Sequence, residues 1–439
     1  MNEVVKRVFV VIFFMGLFLA AVKSQPIRIV TYKSTVLSSG DSSAIPFVHV
    51  HFENLPIGTI TNSIGEFTIN FNESLISENI VFSCIGFKAR KILLKDAIKS
   101  NTDYDSVFLD QDITVLNEVT VLESKVDTLG YLIKKVIDKI PVNYPTERFF
   151  SKGFYRQISQ NGDSASRLVE AAIDIHDPGY SKPIDKVKIK IIQFRKSNDY
   201  ISYSWTRSLV KMLLGTTNDL LETYRMDFLR EGNVLMNNSD GKIFTYELKL
   251  DSIVGNGNER IACITFNSGL EKISQPYFYG HVFVNLSDFA IRRIDYSWLA
   301  HPNYSFPRQN LVFYNGTVRF RKVIEYQKIG TKYYPLFMSV FEPISGVAGS
   351  AAKLQFKESF VLVNEVILER SQFSRLKKKE IEKEDEDIYE QSFPYDPEFW
   401  NTYNIVVINP VKEEDRFSLE KTQRLNEQFI KNGNRRGRK

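Results

Sequence analysis

The stretch from Ile45 to Val121 constrains this chain most, because its glycines and polar turns fall where β-type runs end. Ile45-Pro46 opens an alternation that puts Phe47, His49 and His51 on one strand face and Val48, Val50 and Phe52 on the other. Gly58-Thr59 follows, then Thr61-Asn62-Ser63-Ile64-Gly65-Glu66-Phe67, Ser83-Cys84-Ile85-Gly86-Phe87 and Leu116-Asn117-Glu118-Val119-Thr120-Val121. Gly65 sits between two β-type runs, where a tight turn needs a positive φ that glycine adopts without steric cost. Gly86, inside a strand pattern, signals a bulge or a close approach of backbones.

In this order and at this spacing the pieces resemble the carboxypeptidase-regulatory-like domain, a small transthyretin-like β-sandwich. The resemblance covers about 95 of the 439 residues. It implies a seven-stranded sandwich with a structural or binding role, not a catalytic one.

The residues before it set the expected compartment. Lys6-Arg7 supply a positive start, Val8 to Val22 an apolar run, and Val22-Lys23-Ser24 a cleavage site before Gln25. The run is short of the roughly 20 residues that a membrane-spanning helix needs. No Cys follows it to carry a lipid anchor. The expectation is export, to the periplasm or the outer-membrane periphery of a Gram-negative bacterium. The mature chain would then have no transmembrane segment, although peripheral membrane association stays open. A net charge of +5 falls to about +3 without Lys6, Arg7, Lys23 and Glu3, too mild for a nucleic-acid partner. The basic run Arg435-Arg436-Gly437-Arg438-Lys439 reads as a solvated tail. Two cysteines cannot build a disulfide framework, so Cys84 and Cys263 read as small buried hydrophobes in strands.

After Val121 the period changes. Leu129, Leu132, Ile133, Val136, Ile137 and Ile140 share one helical face, with Asp127 as N-cap and Pro141 as stop. Strands then dominate, and 33 Phe and 21 Tyr favour them. They are expected at Lys242 to Leu250, Arg260 to Phe266, Gly280 to Leu286, Ala290 to Trp298, Thr317 to Tyr326 and Lys332 to Phe341. Ser239-Asp240-Gly241, Asn256-Gly257 and Lys328-Ile329-Gly330 are the hairpin signals. A helical interruption lies between Trp205 and Arg230, with Leu209, Met212, Leu213, Leu220, Leu221 and Tyr224 on helical spacing. Val282 to Leu286 followed by Ala290 to Ile294 resembles the paired strands of periplasmic lipoprotein-carrier half-barrels. The order of landmarks resembles a family of exported envelope proteins, mostly of unknown function. Those landmarks are sandwich, helix, Asn143-Tyr144-Pro145, Gly153-Phe154-Tyr155-Arg156, Asp396-Pro397-Glu398-Phe399-Trp400 and Tyr403-Asn404.

The expected class is therefore mainly β with some α. The expected divisions are a signal peptide over 1–24, a sandwich over 25–122, a linking helix over 123–145, a β-rich half-barrel-like domain over 146–370, and a charged linker and tail over 371–439. Within the last, Lys377 to Asp387 reads as a linker or exposed helix, and Leu419, Leu425 and Phe429 as a short helix.

Searching for chemistry turns up little. His49, His51, His176, His281 and His301 lack the H-x-x-E spacing of a zinc carboxypeptidase. His49 and His51 share a strand face with Glu53, but such a pair reads as packing or rim. Glu170, Asp174 and Asp177 offer carboxylates for a glycosidase, if any two converge, and otherwise form a solvated edge. Tyr200, Tyr203 and Trp205 read as sheet packing before a sugar platform, and Tyr395, Phe399, Trp400 and Tyr403 as a cluster docking the C-terminal segment. No catalytic, cofactor-binding or metal residue is assigned. Two functions compete. One is a non-enzymatic envelope protein, a sandwich adaptor joined to a β-rich domain with an apolar groove for a lipid, peptide or protein partner. The other is an envelope hydrolase, peptidase or glycosidase, whose site no motif reveals.

Overall fold

The computed structural model describes residues 28–99, 106–112, 126–161, 164–200, 219–230, 247–255, 260–267, 277–300, 318–343, 355–369, 376–383, 388–391, 393–406 and 417–433. The signal segment, Leu116 to Val121, Ser239-Asp240-Gly241, Asn256-Gly257, Tyr203, Trp205, Leu209, Met212, Leu213, His301 and the basic tail lie outside the described residues.

Seven short strands form the N-terminal sandwich: β1 (Ile29–Ser38), β2 (His49–Phe52), β3 (Gly58–Ile60), β4 (Glu66–Asn72), β5 (Asn79–Ser83), β6 (Arg90–Leu93) and β7 (Val107–Leu109). One sheet has the order β4-β1-β7 and the other β3-β2-β5-β6. Alternation decides which side chains meet between them. β2 buries Val50 and Phe52, β4 buries Phe67, Ile69 and Phe71, and β5 buries Ile80 and Phe82. A short helix, α1 (Leu94–Lys99), follows β6.

The two glycines differ in role. Gly65 has φ 76°, and a β-carbon there would lie 2.5 Å from the Val36 carbonyl oxygen. Gly86 is not in a strand; its carbonyl accepts from the Asp112 amide at 2.9 Å, a close backbone approach, but a β-carbon there would meet no atom within 4 Å. It occupies the third position of a turn closed by the Phe87 amide donating to the Cys84 carbonyl at 3.1 Å. Its φ of 91° is what a type II turn demands of that position.

A helix, α2 (Val126–Asn143), leads to the second unit. Ile133 and Val136 are fully buried, with Leu129, Leu132, Ile137 and Ile140 packed beside them. Pro141 does not stop the helix. It removes one N–H donor near the end, where few bonds remain to be lost. Lys332 Nζ donates to the Val142 carbonyl at 2.7 Å and Asn143 Nδ2 to the Asp288 carbonyl at 2.8 Å, holding the last turn.

Ten antiparallel strands follow: β8 (Phe149–Asn161), β9 (Ser164–Asp177), β10 (Lys188–Lys196), β11 (Glu247–Val254), β12 (Ile261–Asn267), β13 (Tyr277–Asn285), β14 (Ile291–Ala300), β15 (Val318–Ile329), β16 (Lys332–Pro343) and β17 (Gln355–Ile367). Their order is β10-β9-β8-β17-β16-β15-β14-β13-β12-β11. The meander from β11 to β17 thus returns to pair its last strand with β8. Gly330, at φ 59°, makes the tight turn between β15 and β16. Val254 faces Ile261 across the β11–β12 pair.

The inner face of this sheet is filled. Alongside α2 it takes α3 (Asp219–Arg225), whose Leu220, Leu221 and Tyr224 are buried among Tyr155, Ile173, Ile189 and Tyr326. The outer face carries α4 (Pro397–Thr402), capped by the Asp396 side chain, and α5 (Leu425–Gly433), which packs on β10. Instead of a free linker, residues near Glu382 cover the β10 edge, the Glu382 amide donating to the Ile189 carbonyl at 2.9 Å.

Gly65→Ala adds a clash to the strain of a positive φ, whereas Gly86→Ala adds strain alone. We expect Gly86→Ala to cost about 1 kcal/mol and Gly65→Ala about 2–4 kcal/mol, read from urea unfolding midpoints of the full chain. Equal costs would contradict the two roles.

Candidate functional site

β16 and β17 part: their pairing stops at Leu362, while β17 stays paired with β8 to Ile367 and β16 with β15 to Lys332. The edge left open receives the sandwich. Ile57 bridges to Glu365, and the Val366 amide donates to the Pro56 carbonyl at 3.1 Å. A second tie comes from the C-terminal segment, where Asn404 pairs with the outer edge of β4. Its Oδ1 accepts from the Asn70 amide at 2.6 Å and its Nδ2 donates to the Asn70 carbonyl at 3.2 Å. Apolar packing completes the seam, with Ile60 buried among Phe154, Leu362 and Trp400, and Phe47 against Phe337 at 5.6 Å between ring centroids.

Beside this seam the two units leave a cleft of about 850 Å3. The sandwich contributes β2, the end of β5 and the Cys84–Phe87 turn, and the sheet contributes β13, β14 and β15. His49 and His51 stack in it at 4.3 Å between centroids, 25° from parallel. Gly58 makes room for them, since a β-carbon there would lie 3.0 Å from His49 Nε2. Burial holds His49 well below the usual histidine range, with the charges of His51 and Arg292 pushing the same way. His51 is also lowered by burial, then by Arg292, although the Phe52 carbonyl beside its Nδ1 and nearby Glu53 oppose this. Glu53 is engaged elsewhere, by Lys91 and Asn79. Among the described residues no group of three or more His, Cys, Asp or Glu gathers to hold a metal. Cys84 is free, and burial pushes its thiol up to about 12.

The opposite wall carries Arg292, Arg293 and Glu325. Arg293 Nη1 donates to Glu325 Oε1 at 2.7 Å, and its Nη2 to Asp295 Oδ2 at 3.1 Å. Burial raises the Glu325 carboxyl above the usual range, against the pull of Arg293 and Arg292. Arg292 is different. On β13, Phe283 faces Arg293 and Val284 faces Ile291, so Arg292 is the extra residue of a bulge. A second bulge leaves Leu336 without a partner on β15. Bulges re-aim side chains, and both of these line the cleft.

Other sequence candidates do not join it. Glu170 is wholly buried on the outer face of β9, accepting from Arg156 Nε at 2.7 Å and from Arg195 Nε at 2.5 Å. Burial would raise its carboxyl, but the two guanidinium groups hold it below the usual range. Asp174 is half-buried between Lys152 and Lys190 on the neighbouring strands, and burial raises it. Asp177 points to the inner face, where Arg230 Nη2 lies 2.9 Å from both its oxygens and Tyr224 donates to it at 3.1 Å. The three carboxylates therefore neither converge nor form a solvated edge. Tyr200 donates or accepts at Thr422 Oγ1, 2.7 Å away. Tyr395, Phe399, Trp400 and Tyr403 dock the C-terminal segment, with Tyr403 Oη donating to the Gly153 carbonyl at 2.7 Å. Cys263 is free and buried, its thiol pushed by burial to about 11. Sequence reasoning missed Arg292. The signal was the doubled arginine in Ile291-Arg292-Arg293-Ile294, which strict alternation cannot place on one face.

His49, His51 and His176 all have folded pKa values below their unfolded ones, His176 at about 4 through burial and then Lys188 and Lys190. The unfolded chain binds more protons below about pH 6.5, so stability falls as pH drops from there through the folded values. Carboxylates contribute to wild type and variant alike. We expect the His49→Gln/His51→Gln variant to lose less melting temperature than wild type between pH 6.5 and 4.5. Equal losses would contradict the buried, neutral pair.

No curated protein matches the chain. Two solved structures show a likeness at a TM-score of 0.20, too low to assign a shared fold. A LolA superfamily protein from Nitrosomonas europaea is 12% identical, the match covering 56% of this chain and 96% of that one. A structure titled for lipid–protein interactions in lipovitellin is 9% identical, covering 54% and 27%. Residues 32–121 match the family model of the CarboxypepD_reg-like domain. The N-terminal sandwich is a carboxypeptidase-regulatory-like domain.

Proposed function

We propose that this protein is an exported, non-catalytic binding protein, and that its ligand enters the cleft between the sandwich and the ten-stranded sheet. The observation that carries the reading is the cleft itself. At about 850 Å3 it falls in the range of about 300–1,000 Å3 usual for small-molecule sites, and both units wall it. Its lining is mixed: Phe47, Phe52, Ile85, Phe87, Phe283 and Leu336 give apolar surface, and His49, His51, Glu53, Arg292 and Lys328 give polar surface beside it. The tie through Pro56, Ile57 and Asn404 makes the sandwich a fixed wall and not a tethered adaptor. Among the described residues no helix is long and apolar enough to cross a membrane.

A neutral, environment-sensitive fluorophore, N-phenyl-1-naphthylamine, tests this. We expect saturable binding to the full chain, weakened about fivefold or more by Ile85→Trp, which fills the cleft from a partly exposed turn, at unchanged melting temperature. Absent binding, or binding indifferent to the filled cleft, would contradict the proposal.

A further inference from the structure

We infer that the cleft takes an amphiphile with an anionic head, a fatty-acid-like or alkyl-phosphate-like molecule, whose charged oxygens meet Arg292 while its chain lies along the apolar wall. The inference rests on the cleft as the binding site and adds the chemistry of the ligand.

Arg292 is the observation that points to an anion. Among the described residues no side chain or carbonyl accepts a hydrogen bond from its guanidinium, and no carboxylate lies within ion-pair distance. Its Nε is buried without a partner. The charges around it are spent on one another. Arg293 holds Glu325 and Asp295, Lys328 holds Asp288 at 2.8 Å, and Lys91 holds Glu53. The neighbouring His49 and His51 imidazoles carry no negative charge in either protonation state, so they offer Arg292 no counter-charge. A half-buried guanidinium left without an acceptor is costly, and an oxyanion supplies what it lacks, through two parallel N–H donors.

The bulge gives the same answer by geometry. An arginine in register would stand in line with the strand's other side chains, as Arg293 does opposite Phe283. The extra residue turns Arg292 into the cleft, and the Tyr333 ring 5.6 Å away backs the guanidinium. Part of the remaining wall is suited to hydrocarbon. Phe283 and Leu336 come from the sheet, and Phe52, Leu55, Ile85 and Phe87 from the sandwich. A free inorganic anion would use Arg292 and leave this surface unused. An uncharged lipid would bury the surface and leave Arg292 unpaired.

Displacement of N-phenyl-1-naphthylamine by dodecyl phosphate, dodecanoate, dodecanol and inorganic phosphate, each below any micelle-forming concentration, separates these cases. We expect the two anionic amphiphiles to bind about tenfold or more tightly than dodecanol, and inorganic phosphate not to compete at the same concentration. Arg292→Gln should abolish the preference over dodecanol while leaving dye and dodecanol affinity in place. Arg292→Lys, which keeps the charge, should retain part of it. Equal binding of dodecanol and dodecyl phosphate to wild type would overturn the anion site and leave the cleft reading standing. So would a preference that survives Arg292→Gln. Competition by inorganic phosphate equal to that of dodecyl phosphate would overturn the amphiphile. If neither dye nor amphiphile binds, the cleft reading falls, and this inference with it.

Discussion

Everything about the cleft follows from the parting of β16 and β17 beyond the Phe337–Leu362 pair. Because β17 pairs with β8 beyond the point where β16 leaves it, a run of backbone donors and acceptors is exposed on one side near Glu365 and Val366. Unpaired strand edges attract other strands, and here Pro56 and Ile57 of the sandwich fill the gap. Two independently cored units are thereby fixed at a shared edge, and the space beside that edge cannot close. The cleft is the room left between two units tied by the Val366–Pro56 main-chain bond and by the Asn404 side-chain pair on Asn70.

The second fixing point depends on a buried ionic cluster. Arg156, Glu170 and Arg195 lie between the outer sheet face and the C-terminal segment, with Arg156 Nη2 donating to the Val406 carbonyl at 2.8 Å and Arg195 lying 4.2 Å from the Trp400 ring. Burying three charges is not in itself a source of stability, since desolvation offsets most of the attraction. What such a cluster supplies is position, because each charge is satisfied in one arrangement. That arrangement seats the segment on which Tyr403 and Asn404 reach Gly153 and Asn70. The chain of dependence runs from the ion cluster, through α4, to the edge of β4 and so to the placement of the sandwich.

Much of the fold was legible in the sequence. The sandwich could be read because its turns demand particular residues, as Gly65 does with its positive φ under the Val36 carbonyl. The meander could be read from period-two alternation between turn signals such as Gly330. The docking aromatics could be read because Phe399, Trp400 and Tyr403 are too large to leave in water. The site was less legible, since its parts are far apart in sequence. His49 and His51 come from one unit and Arg292 and Glu325 from the other, and no local pattern says that β2 will face β14. A strand bulge is also invisible to a reading based on strict alternation, so Arg292 passed as an ordinary strand residue. Pro141 failed as a helix stop for a related reason. Tertiary partners, Lys332 and Asp288, hold the turn that local preference would have ended.

Amide hydrogen exchange at single-residue resolution in the full chain tests the central claim, that hydrogen bonds from main-chain amides lock the sandwich to the sheet. The two amides to follow are Val366, which donates to Pro56, and Asn70, which donates to Asn404. Neither serves its own ladder, so neither is protected unless the units are docked. The account predicts protection of both on the scale of the β8–β17 ladder amides. Exchange of both at the rate of open turns, while that ladder stays protected, would contradict it.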